Sequence, residues 1–289
     1  MLSFALTVLL DGISYGMILF LISVGLTVTM GLMRIVNLAH GAFAMIGGYV
    51  AGYLTQRGGN FYLAIVAAAG AAGMLGAAAE MTIYRPLYRK GELGQVLLTV
   101  GIVFVATGAI TAIFGAFPYP VVFPRYLTQP VDIGFRTYPA YRLFLIAVGI
   151  AIALVLWLVL DGSIYGARLR AAVDNPRMAR AVGIDVNRLF TLTFIVGCGL
   201  AGLGGAIGSG ILALEPAYAL EYIVLLLVVV ILGGEGNFAG SFIAALALGI
   251  IDTIGKYFVP QAAAYLIYGA AFILLLWRPR GLLSPKSAA

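Results

Sequence analysis

Charge is scarce in this sequence. Lys, Arg, Asp and Glu make up only 10% of its 289 residues, while the apolar set supplies 63%. A soluble domain carries about 25% charged residues. So few charges cannot clothe a chain of this length, which excludes a water-exposed globule and turns most of the surface toward lipid. The single cysteine, Cys198, excludes an intrachain disulfide and any cysteine-rich metal site. In its run, FIVGCGLAG, it reads as a small packing residue. One histidine, His40, cannot build a zinc site without cysteine and carboxylate partners close by, and HExxH is absent. No GxxxxGK[ST] loop is present, so the chain does not itself hold ATP in the P-loop manner. The GSG at 208–210 lacks the frame of a nucleophile elbow. These absences argue against an enzyme, and neither metal nor cofactor is expected. The first twenty residues lack a basic n-region and a small-residue cleavage site, so they read as a retained membrane segment.

What is present is a series of apolar runs. A spanning helix needs roughly 20 apolar residues, fewer where it is bent or re-entrant. Candidate segments are 13–33, 41–56, 62–84, 94–117, 143–160, 190–212, 219–233, 241–258 and 262–277, and 4–33 reads either as one span or as a half-helix plus a span. The expected fold is therefore an all-α polytopic transmembrane bundle of about eight or nine spans, some short or broken. No linker or charge run divides it, so 1–289 reads as one membrane domain.

Lysine and arginine fix the orientation. Arg85, Arg89 and Lys90 share one loop; Arg168, Arg170, Arg177, Arg180 and Arg188 crowd 161–189; Arg278, Arg280 and Lys286 close the chain. Counting spans puts all three clusters on one side, the cytoplasm, together with the C-terminus. The N-terminus is outside with nine spans and inside with eight. The proline-rich loop 118–142 falls outside as an ordered, extended segment. Topology accounts for the net charge of +6 without nucleic acid as a partner.

Glycine is abundant, at 38 residues. Gly197, Ala201 and Gly205 recur every fourth residue, as do Gly204 and Gly208, and Gly48 and Gly52. Small residues at this spacing let helix backbones approach closely. A weak internal echo pairs NLAHGAF, from Asn37, with NFAGSFI, from Asn237. Transporters are often built from such repeats, with interrupted helices meeting near the membrane midplane.

Charged residues inside apolar runs are costly and usually functional. Asp252 and Lys256, four apart, are expected to pair on one helix face. Glu80 is expected to meet headgroups or the adjacent Arg85. Asp11 lies near the start, and Glu215 and Glu221 flank an external turn. No ladder of buried carboxylates crosses the bilayer, as a proton-driven carrier would more often show. In RIVNLAHGAF, Arg34 reads as an inside anchor. Asn37 and His40 read in two ways: as caps of the helix beginning near Gly41, or as lining of a path or gate.

The cytoplasmic stretch from Gly166, GARLRAAVDNPRMARAVGIDVNRLFTLTF, is the most structured loop in prospect. Ala167–Ala172 and Pro176–Val182 read as short helices, the second opened by Asn175-Pro176 and stopped by Gly183 in the αL conformation. A compact basic element on the cytoplasmic face suits docking of a soluble partner; an ordinary positive-inside loop is the plainer alternative.

Three stretches in order, GLMRIVNLAHGAFAMIGGY, RAAVDNPRMARAVGIDVNRLFTLTF and ILGGEGNFAGSFIAALALG, resemble the membrane permease subunits of bacterial ABC importers. Specifically, they are similar to the branched-chain amino acid (LivH-type) permease family. The resemblance implies a subunit in the bacterial inner (plasma) membrane that moves branched-chain or other hydrophobic amino acids inward. It implies a second homologous permease, two cytoplasmic ATPase subunits and a periplasmic solute-binding protein as partners. It also makes 166–188 the coupling segment, with Ala179, Ala181, Gly183, Ile184 and Asp185 matching its Ala-x-x-x-Gly-Ile-Asp-like pattern and Arg177 expected to take part in coupling beside them. The broader importer loop begins with a glutamate before its alanine; here Arg177 and Met178 stand in that place. Asn37, His40 and Asn237 are the expected path or gate residues, and Gly197, Ala201 and Gly205 the expected packing stripe. Importers of urea or short amides share much the same motifs, and a self-sufficient channel or secondary carrier is the alternative of another class.

Overall fold

In the computed structural model, residues 2–32, 37–87, 92–134, 136–234, 236–279 and 281–283 are described. Arg34, Arg89, Lys90, Arg280 and Lys286, used above for topology, lie outside them, as does Glu235. The helices in chain order are α1 (Leu2–Leu26), α2 (His40–Gln56), α3 (Phe61–Ala79), α4 (Arg85–Leu87), α5 (Glu92–Phe114), α6 (Arg125–Thr128), α7 (Ala140–Leu160), α8 (Ile164–Asp174), α9 (Pro176–Ala181), α10 (Val186–Gly208), α11 (Tyr218–Gly233), α12 (Phe238–Phe258) and α13 (Ala263–Trp277). The only strands among the described residues, β1 (Pro130–Asp132) and β2 (Thr137–Pro139), form one antiparallel hairpin with Val131 opposite Tyr138. Seven helices of the described residues are long and apolar enough to cross a membrane. The apolar runs read from the sequence coincide with these seven plus α2 and α11, the two short members.

The long helices form because their apolar residues run without a break, and each must satisfy its backbone internally because lipid offers no hydrogen bonds. α1 and α3 continue into π-helical turns, Thr27–Leu32 and Glu80–Tyr84. The centre of the bundle is α1, buried throughout from Met17 to Leu26 and packed between α12 and α10. α2 and α3 lie against the far side of α10.

Glycine permits these crossings. At Gly25 of α1 an added Cβ would strike the carbonyl of Gly197 on α10 and lie 2.7 Å from the His40 ring. At Gly205 of α10 it would strike the backbone of Ala44 on α2. Gly12 and Gly16 face Ile250 and Leu246 of α12 at 2.7–2.9 Å in the same sense. Ala201, between the two α10 glycines in sequence, is fully buried. Packing at such points leaves no room for even one methyl group.

Both short helices begin inside the bundle. His40, the first residue of α2, lies beside Gly25 and Gly197, halfway along α10. Gly41 in turn faces the backbone of Ala219, in the first turn of α11, where an added Cβ would come within 2.9 Å of its carbonyl oxygen.

The proline-rich segment 118–142 is tied down to the bundle. Gln56 Nε2 donates to the Pro120 carbonyl at 2.8 Å, and the Tyr119 amide to the Leu214 carbonyl at 2.8 Å. A buried hub completes the anchoring: Asp11 accepts from Tyr138 Oη at 2.8 Å and Tyr257 Oη at 2.7 Å, and pairs with Arg142. One carboxylate thus joins α1, the hairpin, α7 and α12. Burial, and then the Asp11 carboxylate, push the Tyr138 phenol above its ordinary value.

Two outcomes follow for the purified protein. Gly205→Val should cost at least about 1–3 kcal/mol through overpacking, lowering the melting temperature, whereas Gly101→Val, where an added Cβ meets nothing within 4 Å, should leave it close to wild type. Asp11→Ala should cost about 2–3 kcal/mol, less than a fully buried pair because Arg142 keeps 33% of its side chain exposed. The raised phenol favours the neutral form in the folded state. Its contribution is therefore complete below the ordinary tyrosine value of about 10 and fades only as pH rises through the raised one, so melting curves at about pH 7 and pH 9 should show the same loss.

Candidate functional site

Two places carry functional geometry. The first is the element between α7 and α10, two short helices that, with the start of α10, carry three N-caps and leave little slack. Ser163 Oγ accepts from the Gly166 amide and starts α8. Asn175 Oδ1 accepts from the Met178 amide at 3.0 Å and starts α9, with Pro176 in its first turn. Asp185 Oδ1 accepts from the Arg188 amide at 3.0 Å and starts α10. Each is an N-cap of the type that satisfies otherwise orphaned amides.

The end of α9 is a Schellman turn. The Ile184 amide reaches back to the Ala179 carbonyl at 3.0 Å and the Gly183 amide to the Arg180 carbonyl at 3.0 Å, with Gly183 at φ +86°. Of the residues matched to the coupling pattern, Ala179 is buried and anchors α9. Arg177, Ala181, Gly183 and Asp185 are exposed, and Ile184 is half-buried. Leu169 and Ala172 bury the other face of the element. Between the arginines, Met178 and Val182 project at 63% and 72% exposure. Sequence reasoning passed over this apolar pair, although its spacing of four on a basic helix was the signal.

The element is joined to the bundle through one stretch of α10. Tyr165 Oη meets Thr193 Oγ1 at 2.8 Å. Thr191 Oγ1 donates to Glu80 Oε2 at 2.7 Å and accepts from Arg85 Nη2 at 2.7 Å, and Arg85 also grips Glu80 at 2.9 and 3.3 Å. Glu80 is fully buried, so its partner is the adjacent arginine, one of the two readings given above. Beside this network, Met81, Arg85, Asp185, Asn187 and Arg188 line a cavity of about 390 Å³. Asp252 and Lys256 pair along α12 at 2.5 Å, as their spacing predicts.

The second place is the turn Asn37–His40, whose two side chains are fully buried. The His40 amide contacts the Asn37 carbonyl at 3.3 Å, so the two residues share one turn. Neither side chain caps α2: its N-cap is Ala39, without a side-chain bond. The capping reading is thereby corrected, because both side chains reach other helices instead. Asn37 Oδ1 accepts from Tyr84 Oη at 2.8 Å, and His40 Nε2 meets the Ile22 carbonyl at 2.9 Å. Asn37 Nδ2 and His40 Nδ1 are buried without a hydrogen-bond partner; leaving such a group unmet costs about 1–3 kcal/mol. Asn237, the echo of Asn37, does cap its helix, accepting from the Gly240 amide at 2.9 Å. Four residues on, Ser241 Oγ accepts from Thr27 Oγ1 of the π turn at 2.9 Å. No group of three or more His, Cys, Asp or Glu among the described residues is arranged to hold a metal ion.

Comparison with known proteins identifies the setting. Residues 8–276 match the family described as the permease component of branched-chain amino acid transport systems. The chain is similar to the permease protein BraD of a high-affinity branched-chain amino acid transport system of Pseudomonas aeruginosa, 26% identical over 95% of this chain and 94% of that one. It is also 26% identical to a probable branched-chain amino acid transport permease protein LivH of Methanocaldococcus jannaschii, over 96% and 90% of the two chains. The permease protein LivH of the high-affinity branched-chain amino acid system of Escherichia coli is 24% identical over 94% and 93%. No solved structure matches. With a match running through all nine apolar helices, the chain belongs to the family of permease components of branched-chain amino acid transport systems.

Proposed function

We propose that this chain is one membrane half of an ABC importer that carries branched-chain amino acids into the cytoplasm, powered by two separate ATPase subunits. A second, homologous permease completes the path, and a periplasmic binding protein delivers the solute. The observation that carries the reading is the α8–α9 element: a rigid, triply capped, basic projection with an exposed apolar pair, Met178 and Val182, framed by Arg177 and Arg180. Apolar anchors inside a charged rim are what a docking surface needs. Its arginines, with Arg85 and Arg278, support a cytoplasmic side for it and for the C-terminus in a bacterial inner membrane.

Closure of the ATPases on ATP pushes this element. Its caps and the Schellman turn resist local give, so the displacement passes to α10 through Asp185 and Thr193. α10 then tilts against α1 and α2 at the glycine crossings, where contact is backbone to backbone and no side chains must disengage. The Asn37–His40 turn, wedged between those helices, moves with them and acts as the gate. Solute selection resides mainly in the binding protein, because tight binding within the membrane would slow release.

Two variants test the docking surface. Met178→Asp with Val182→Asp should abolish co-purification of the ATPase subunits and cut leucine uptake by about a hundredfold, the effect of losing roughly 2.7 kcal/mol, without lowering the melting temperature; ATPase binding at wild-type strength would refute the assignment. Gly183→Val forces a β-branched residue to φ +86°, strain of about 1–3 kcal/mol. It should uncouple ATP hydrolysis from uptake, while Gly183→Asn, which tolerates αL, should retain most of it. Competition of labelled leucine uptake by isoleucine, valine and urea then assigns the solute. Flux through the chain reconstituted alone, without ATP, would instead show a self-sufficient channel.

A further inference from the structure

The unpartnered atoms of the Asn37–His40 turn have complementary chemistry, and that complementarity names a ligand. His40 Nε2 lies 2.9 Å from the Ile22 carbonyl, an oxygen that can only accept. Nε2 therefore carries a proton; the fully buried ring has no carboxylate partner among the described residues to offset a charge, so it is neutral and Nδ1 presents a lone pair. Asn37 uses its carbonyl oxygen to accept from Tyr84, so its amide NH2 is the free end. Within one turn the bundle thus holds a hydrogen-bond acceptor at Nδ1 and a two-proton donor at Nδ2, both fully buried and both without a partner.

Each side chain is oriented by the bond at its other end. The first turn of α2 lies against backbone on both sides, with the His40 ring against Gly25 and Gly41 against Ala219. The pair is therefore held in position by packing and is exposed only when α1, α2 and α10 part.

We propose that Asn37 and His40 form a transient binding site for the head group of a zwitterionic α-amino acid. Asn37 Nδ2 donates to the solute carboxylate and His40 Nδ1 accepts from the solute ammonium. The inference rests on the permease reading above and extends it to the groups that touch solute. In the closed arrangement both atoms are unmet, which disfavours that state. An incoming head group satisfies both at once, so it favours opening without making a tight site. A neutral imidazole and an amide bind a zwitterion weakly compared with a pair of opposite charges, which suits passage.

The test uses the complete importer, with its sister permease, ATPases and binding protein, in lipid bilayers. Because His40 is the chain's single histidine, its imidazole nitrogens can be assigned by the 15N spectrum lost in His40→Gln. Saturating leucine should shift the Nδ1 resonance of the wild-type complex by several ppm, while 4-methylpentanoate, which lacks the ammonium, should leave it in place. An unmoved Nδ1 with leucine, the same shift from 4-methylpentanoate, or the same shift from ATP alone would each overturn the site; the last would show that water fills it. Asn37→Asp keeps an acceptor for Tyr84 and removes the donor. It should cut leucine uptake per ATP hydrolysed by about tenfold or more, equivalent to one decade of affinity, with ATP hydrolysis preserved; unchanged uptake overturns the assignment. If the wild-type complex carries none of leucine, isoleucine and valine, the permease's solute class is what fails, and that outcome is read before any variant is made.

Discussion

Lipid offers no hydrogen bonds, and this requirement decides where nearly every polar atom of the chain goes. Threonines along the helices turn back on their own carbonyls: Thr7, Thr29, Thr55 and Thr193 each donate to the residue four before. Charged groups are gathered into compact hubs. Asp11 collects two phenols and a guanidinium, and Glu80 collects Arg85 and Thr191. Each hub joins helices distant in sequence, so the groups most expensive to bury also act as cross-links. Asn37 Nδ2 and His40 Nδ1 are among the few buried side-chain atoms of the described residues left without a hydrogen bond, with Ser14 Oγ, Tyr49 Oη, Thr107 Oγ1 and Tyr218 Oη, and they are the two that share one turn.

The same solvent removes the hydrophobic drive between helices, leaving close packing as the main source of cohesion. Glycine supplies it here by bringing backbones together at Gly25–Gly197 and Gly205–Ala44. A crossing built this way has two properties at once. It is intolerant of added volume, yet it lacks the interlocked side chains that would resist sliding. That combination suits a subunit whose core helices must move as bodies.

Local features were legible in the sequence and distant partnerships were not. Asn175-Pro176 and Gly183 announce a helix start and stop through residues only a few positions away, and the structure places each of those bonds. The apolar runs located all nine long or half-length helices, because their signal is also local. Asn37 shows the converse. Its resemblance to Asn237 suggested a shared role, yet Asn237 caps α12 while Asn37 is drawn to Tyr84, 47 residues later. Asp11 looked like a stray charge near the start; its partners lie 127 and 246 residues away. No periodicity or propensity encodes such contacts, which exist only once helices have packed.

Thr191, Thr193 and Phe194 connect the two functional places. Thr193 is held by Tyr165 of the docking element, and Thr191 by the Glu80–Arg85 pair at the end of α3. The Phe194 ring packs on Tyr84 at 5.0 Å and on Phe43 of α2 at 6.3 Å, and Tyr84 is the residue that holds Asn37. One turn of α10 therefore touches the proposed docking element and, through Phe194, the rings of Tyr84 and Phe43. A rotation of that turn changes the seat of Phe194, and Tyr84 cannot follow it freely, because the neighbouring Arg85 is clamped to Glu80 and Thr191. The hydrogen bond from Tyr84 to Asn37 lies between these two anchored groups. Under the proposed coupling, its loss would release the turn on which Asn37 and His40 sit, with the phenol as the latch between the docking element and the proposed gate.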